Sequence, residues 1–214
     1  MDFKIIDLGL TNYSYALTLQ KDIWSKVKDN LALSSIICCQ HYPVITAGRG
    51  AKAENFLLSP EQIKKKGIEI FNADRGGDIT YHGPGQLLFY PIFNLNNYAK
   101  DIHLFLRNLE EVVISYLGDL AINAQRLPGL TGVWINGKKI ASIGIGIKNW
   151  TTYHGLSINI KRDCLENFNL IKPCGMDIKM TSLEDILNNV VDIEKTRCGI
   201  LEKFQEVFLS EALL

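Results

Sequence analysis

Residues 75–92 read Arg-Gly-Gly-Asp-Ile-Thr-Tyr-His-Gly-Pro-Gly-Gln-Leu-Leu-Phe-Tyr-Pro-Ile. Two polar clusters, Arg75–Asp78 and Tyr81–Gly85, run without interruption into Gln86–Ile92, whose apolar and aromatic content is that of a buried strand. A loop built this way is anchored to a rigid element. Gly76, Gly77, Gly83 and Gly85 permit backbone angles closed to other residues and let a ligand approach the main chain, while Arg75 and His82 supply a charge and a titratable ring. Taken alone, the same residues also describe a Gly/Pro-rich hairpin loop with no ligand.

Upstream of this stretch, Phe3–Leu8 alternates as a strand does, and Thr11 is placed to cap a helix carrying Tyr13, Leu17, Ile23, Trp24, Val27 and Leu31 on one face. Ser35–Cys39 predicts a buried strand in which Cys38 and Cys39 point to opposite faces. His41–Thr46 follows, then Gly48-Arg49-Gly50, where the arginine either meets an anion or covers a turn. Ser59-Pro60-Glu61-Gln62 has the full chemistry of a helix start, and Gly67 stops that helix. Lys64, Lys65 and Lys66 in its last turn complement the helix dipole; docking of an acidic carrier protein is the alternative use. Ile68–Phe71 supplies a short strand into the opening loop.

Downstream, Asp101 caps a helix bearing Ile102, Phe105, Leu109, Val112, Val113 and Tyr116, closed by Gly118, with His103 toward solvent. Asn136-Gly137 is a strong hairpin signal between Val133–Ile135 and Lys138–Lys148. Ala141, Ser142, Gly144 and Gly146 keep the second of these strands thin and leave room beside it. Tyr153–Ile160 is a further strand, Asn169–Gly175 a loop holding Cys174, Thr181-x-x-Glu184 a capping box, and Asp192 the start of a last helix. Helices mixed with hairpin-connected strands, without regular strand–helix alternation, predict an α+β fold, and no linker divides residues 1–214, so one domain is expected.

The 23 basic and 23 acidic residues cancel, which argues against a nucleic-acid or anionic-membrane partner. The longest apolar runs are short of a membrane span, and the first residues lack the layout of a secretion signal, so a cytoplasmic protein is expected. Five cysteines without repeated spacing suit free thiols in a reducing compartment. Neither a C-x-x-C pair nor an H-E-x-x-H helix occurs, and His82, His154 and Cys174 lack close ligand spacing, so no metal is expected. Cys174, between a proline and a glycine, has the turn setting of a reactive thiol rather than the apolar run of a structural one. A free thiol titrates near about 8.5, and a lysine ammonium beside it would favour the thiolate; Lys139 is the candidate, although spacing alone does not bring the two together.

The segments 41–50, 75–87, 137–144, 154–159 and 173–175 together resemble, in order and over most of the chain, the octanoyltransferases of lipoate biosynthesis, within the biotin/lipoyl protein ligase superfamily. That resemblance implies a fold in which mixed sheets flanked by helices surround an acyl tunnel. It implies transfer of octanoyl from octanoyl-acyl carrier protein to a lysine of a lipoyl domain, in 2-oxoacid dehydrogenase complexes and the glycine cleavage H protein, by a monomer without a cofactor. Cys174 matches the family's acyl-thioester nucleophile and Lys139 the lysine that lowers its pKa; of Lys138 and Lys139, strand alternation lets only one face the pocket. Arg75, Gly76, Gly77, Asp78, Ile79, Thr80, Tyr81 and His82, then Ser142, Ile143 and Gly144, then His154, Gly155, Leu156 and Ser157 match its substrate-binding segments. Backbone N–H groups with His82 or His154 are expected to steady the oxyanion. The competing readings are an ATP-dependent lipoate-protein ligase on the same fold and a non-catalytic lipoyl-domain-binding module, for which Cys174 would be dispensable.

Overall fold

The computed structural model describes residues 3–173 and 178–210, the last two by their backbone alone. The elements run β1 (Phe3–Thr11), α1 (Tyr13–Lys28), β2 (Ser34–His41), β3 (Val44–Ala47), α2 (Pro60–Lys65), β4 (Glu69–Asn72), β5 (Ile79–His82), β6 (Gln86–Ile92), α3 (Ile102–Asp119), β7 (Gln125–Leu127), β8 (Leu130–Ile135), β9 (Lys138–Lys148), β10 (Thr151–Asn159), α4 (Leu183–Leu187) and α5 (Ile193–Ser210). Seven strands form one sheet in the order β1-β2-β6-β10-β9-β8-β7, and β4-β3-β5 form a second. The β1–β2 and β3–β4 pairs are parallel and the others antiparallel. This is the α+β architecture that the sequence predicts.

Gln86–Ile92 is central in the large sheet and buried at every residue. Its pleat sends Leu87 and Phe89 into a core with α3 and α5, and Leu88, Tyr90 and Ile92 against α1. Cys38 and Cys39 divide between the same two cores, as neighbours on a strand must. The small sheet has its own core, in which Ile45, Ala47, Ile79 and Tyr81 meet Ile63, Phe168 and Leu170.

Local signals mostly give the right element ends. Ser59 accepts from the Gln62 N–H while the Gln62 side chain accepts from the Ser59 N–H, a complete capping box. Asp101 caps α3 through the N–H groups of His103 and Leu104, and Asp192 accepts from Glu194 and Lys195 at the start of α5. The β8–β9 hairpin turns on Asn136 (φ 49°) and Gly137 (φ 76°). Four boundaries differ. Thr11 is the last residue of β1 and Asn12 precedes α1, with no side-chain cap. Leu31, beyond the end of α1, is exposed. Ser182, not Thr181, caps α4 by accepting from Asp185, and α3 runs past Gly118 to Asp119. Ile79–His82, read as part of a loop, is a strand paired with β3, because partners distant in sequence supply its ladder.

Candidate active site

Between the two sheets lies a cavity of about 70 Å³. The small sheet lines it through Thr46, Thr80 and His82, the large one through Leu88 and Tyr90 of β6, Lys139, Ser142 and Gly144 of β9, and His154–Ser157 of β10. Strand alternation makes this division. In β5, Tyr81 turns into the apolar core, Thr80 and His82 reach the cavity and Ile79 borders both; in β9, Lys138 is exposed and Lys139 only 6% exposed. Of the two lysines it is Lys139 that is buried, with its Nζ 5.3 Å from the centroid of the Trp134 ring.

The glycine loop is held by a turn from the small sheet. The N–H groups of Gly48, Arg49 and Gly50 donate to the carbonyls of Asp78, Arg75 and Gly77 at 3.2, 3.0 and 2.9 Å. A Cβ on Gly48 would run into the Gly77 carbonyl, so glycine is required by this close approach. Arg49 itself is exposed, and Gly48–Gly50 act as a turn that fastens the loop. The Arg75 guanidinium turns back to the protein, donating to the Thr46 carbonyl at 2.7 Å, the Thr46 hydroxyl at 2.8 Å and the Gly76 carbonyl at 3.0 Å. Asp78 accepts from its neighbour's Ile79 N–H at 2.7 Å and from the Asn55 side-chain amide. The space expected beside Gly144 is filled by this loop, with the Gly76 carbonyl and Arg75 stem against it, and that beside Gly146 by the Tyr153 ring.

Burial lowers the pKa values of His41, His82 and His154, which favours the neutral rings at pH 7, and the ring N–H of each is committed. The Gln86 side-chain N–H₂ donates to the Tyr81 carbonyl, which fixes its amide and makes its Oε1 the acceptor for Nδ1–H of His82 at 3.1 Å. Burial, with His41 and Arg75 nearby, pushes the His82 pKa down to about 3. His41 is pushed down to about 4 by burial; its Nδ1–H donates to the Thr11 carbonyl and its Nε2 accepts from the Tyr90 hydroxyl at 2.7 Å. His154, at φ 55°, is also lowered by burial, and its Nε2–H donates to Asp74 Oδ1 at 2.9 Å. Burial raises the Asp74 carboxyl, but hydrogen bonds from His154 and from the Tyr153 hydroxyl at 2.8 Å outweigh it and hold the group below its usual range. Neither His82 nor His154 thus has a spare N–H for an oxyanion, contrary to the sequence expectation; each offers the cavity at most a lone pair.

Of the residues matched to binding segments, Arg75, Gly77, Asp78, Ile79, Thr80, His82, Ser142, Ile143, Gly144, His154, Gly155, Leu156 and Ser157 line the cavity, together with Lys139. Gly76 and Tyr81 do not. The N–H of Gly76 donates to the Ile145 carbonyl at 2.8 Å, and Tyr81 packs edge-on against Phe168, its hydroxyl accepting from Asn167 at 3.0 Å. Cys174 lies outside the described residues; Pro173, just before it, lines the cavity. The sequence reading missed Tyr13, Thr46, Leu88 and Tyr90 in the lining, and Gln20, which accepts from the His154 N–H at 2.8 Å. Asp74 was missed as well; an acid immediately before the Arg-Gly-Gly run is the signal that would have found it.

Several known proteins are similar to this chain. The octanoyltransferase of Clostridium kluyveri is 44% identical over 205 residues, covering 95% of this chain and 87% of that protein. That of Thermoanaerobacter sp. strain X514 is 41% identical over 207 residues, covering 96% and 90%. Among solved structures, lipoate-protein ligase A bound with ATP superposes with a TM-score of 0.81 at 19% identity, covering 97% of this chain and 85% of that one. A bipartite lipoate protein ligase from Thermoplasma acidophilum, solved in work on its E2 lipoyl domain, gives 0.75 at 19% identity, covering 97% and 84%. These two likenesses agree on the fold. The family described as the lipoyl protein ligase A/B catalytic domain matches residues 12–205, nearly the whole chain, and this protein belongs to it.

Proposed function

We propose that this protein is an octanoyltransferase that moves octanoyl from the thioester of an acyl carrier protein to a lysine of a lipoyl domain, through a thioester on Cys174. The observation that carries the reading is the level of likeness: 41–44% identity to octanoyltransferases along almost the entire chain, against 19% to the ATP-bound ligase of the same fold. The site's chemistry supports it. Lys139 is buried in the cavity wall, and Pro173 reaches the same cavity. Burial pushes the thiol of Cys38 up to about 11, that of Cys164 up to about 12 and that of Cys39 well above the usual range, so none of these three is a ready thiolate.

In the first step the Cys174 thiolate bonds to the thioester carbonyl carbon, the carbon–sulfur bond to the carrier breaks, and the Lys139 ammonium gives its proton to the departing sulfur. In the second, the acceptor amine bonds to the same carbon, passes a proton to the now neutral Lys139, and the Cys174 thiolate leaves. Thioester exchange is nearly isoenergetic and amide formation runs downhill, so the sequence needs no nucleotide. With the histidine N–H groups committed, backbone N–H groups of the glycine segments and Lys139 itself are the donors for the oxyanion. Burying an eight-carbon chain contributes roughly 5–6 kcal/mol at about 0.8 per methylene, enough to retain the acyl group while the carrier departs.

The test is transfer from purified octanoyl-carrier protein to a lipoyl domain without ATP. Transfer should proceed, with an octanoyl mass on Cys174 that hydroxylamine removes. A strict need for ATP, or an adduct that persists in Cys174→Ala, overturns the reading.

A further inference from the structure

A second cavity, of about 330 Å³, shares Lys139, Gly77, Ile143 and Gly144 with the first. Its own walls are Leu106 of α3, Leu130, Thr131 and Trp134 of β8, and Ile178. Lys139 stands at the junction, its amine over the Trp134 ring. Among the described residues that line this second cavity, none carries a carboxylate. Trp134 is 3% exposed, and its indole N–H is buried without a hydrogen-bond partner.

These features favour one kind of occupant. An amine on an aliphatic stem is a nucleophile only when unprotonated, and apolar walls favour its neutral form. A neutral amine also brings a lone pair that can satisfy the indole N–H, which an alkyl tail would leave unpaired at a cost. A pantetheine-type arm, with two amides to satisfy, finds among the described residues only Thr131 and Trp134 as uncharged polar side chains. Taking the transferase reading as its basis, we propose that this second cavity is the channel by which the acceptor's lysine side chain reaches the acyl group, from a side different from the cavity between the sheets. The geometry gives Lys139 access to both: acid toward the departing thiol in one cavity, base toward the amine arriving through the other.

Filling the channel separates the two half-reactions. Leu130→Trp is expected to form the octanoyl adduct from carrier thioester at the unsubstituted rate while its kcat/KM for the lipoyl domain falls at least tenfold. Leu106→Phe, which narrows the same space from the α3 side, should give the same split if the first variant folds poorly. Adduct formation that falls in step with transfer would assign the cavity to the donor, and unchanged transfer in both variants would leave it without a role; either overturns the proposal. No adduct on the unsubstituted chain would overturn the transferase reading, and the channel with it.

Discussion

The backbone N–H of Lys139 donates to the carbonyl of Lys179 at 2.8 Å, and the N–H of Thr181 returns to the carbonyl of Lys139 at 3.0 Å. Lys139 and Met180 thus form a parallel bridge, so the lysine whose side chain lies between two cavities also anchors, by its main chain, the segment that follows residue 177. The side chain of Asn159 adds a third tie, donating to the Thr181 carbonyl at 2.9 Å. Both described residues that flank 174–177 border a cavity containing Lys139: Pro173 the first, Ile178 the second.

Two substitutions of that lysine should separate its charge from its proton transfer. Lys139→Ala is expected to raise the apparent pKa of the reactive thiol in a pH profile of iodoacetamide alkylation. Lys139→Arg keeps the charge but holds its proton throughout the usable pH range, so thiol reactivity should stay near the original while octanoyl transfer falls about a hundredfold or more. An alanine variant with an unchanged alkylation profile would remove the lysine from the thiol's environment.

Stability should fall on mild acidification. His41 and His82 have folded-state pKa values of about 4 and about 3, below the ~6.5 of the unfolded chain. Below that value the unfolded state binds more protons, and stability declines with falling pH until the folded-state values are reached. Urea unfolding should therefore show a loss of up to ~2 kcal/mol per histidine between pH 7 and pH 5. His82→Asn should flatten this dependence; an identical slope in the variant would refute the assignment.

Gly155 and Gly118 should respond oppositely to alanine. A Cβ at Gly155 meets the Phe89 carbonyl on the adjacent strand, a backbone atom that cannot step aside, so Gly155→Ala should destabilise by about 1–3 kcal/mol. At Gly118, in the last turn of α3, a Cβ meets nothing within 4 Å, and Gly118→Ala should stabilise by up to ~1 kcal/mol. Thermal melts of the two variants decide it.

Asp74 is expected to set the tautomer of His154 by accepting its Nε2–H. Asp74→Asn should displace the His154 ring ¹⁵N shifts and lower the transfer rate about tenfold, because a misdirected imidazole in the cavity wall costs orientation. Unchanged ¹⁵N shifts would show that the carboxylate does not hold the ring.

Glu110 ties α3 to β8 beside the second cavity. It is fully buried, accepts from Arg107 at 2.7 Å and Arg126 at 3.0 Å, and takes the Gly132 N–H at 2.9 Å. Both arginines are partly exposed and can return to water, so the cost of Glu110→Ala rests mainly on the orphaned Gly132 N–H, about 1–3 kcal/mol by urea unfolding. A loss below the lower figure would mean that the loop finds another acceptor.

What the sequence by itself determined is local. The strand at Gln86–Ile92, the Asn136-Gly137 turn, the Ser59–Gln62 capping box and the burial of one but not both of Lys138 and Lys139 follow from side-chain period and backbone preference, which act within a few residues. Only the tertiary structure decided that Ile79–His82 is a strand, that Tyr81 faces a core while His82 faces the cavity, and that Asp74, Gln20 and Gln86 hold the histidines' neighbourhood in place. Those outcomes depend on ladders and hydrogen bonds between residues far apart in the chain and on desolvation by surrounding packing. Neither has a signature in the order of amino acids around the residue concerned, and for that reason the protonation of the site's histidines could be read only after the chain was folded.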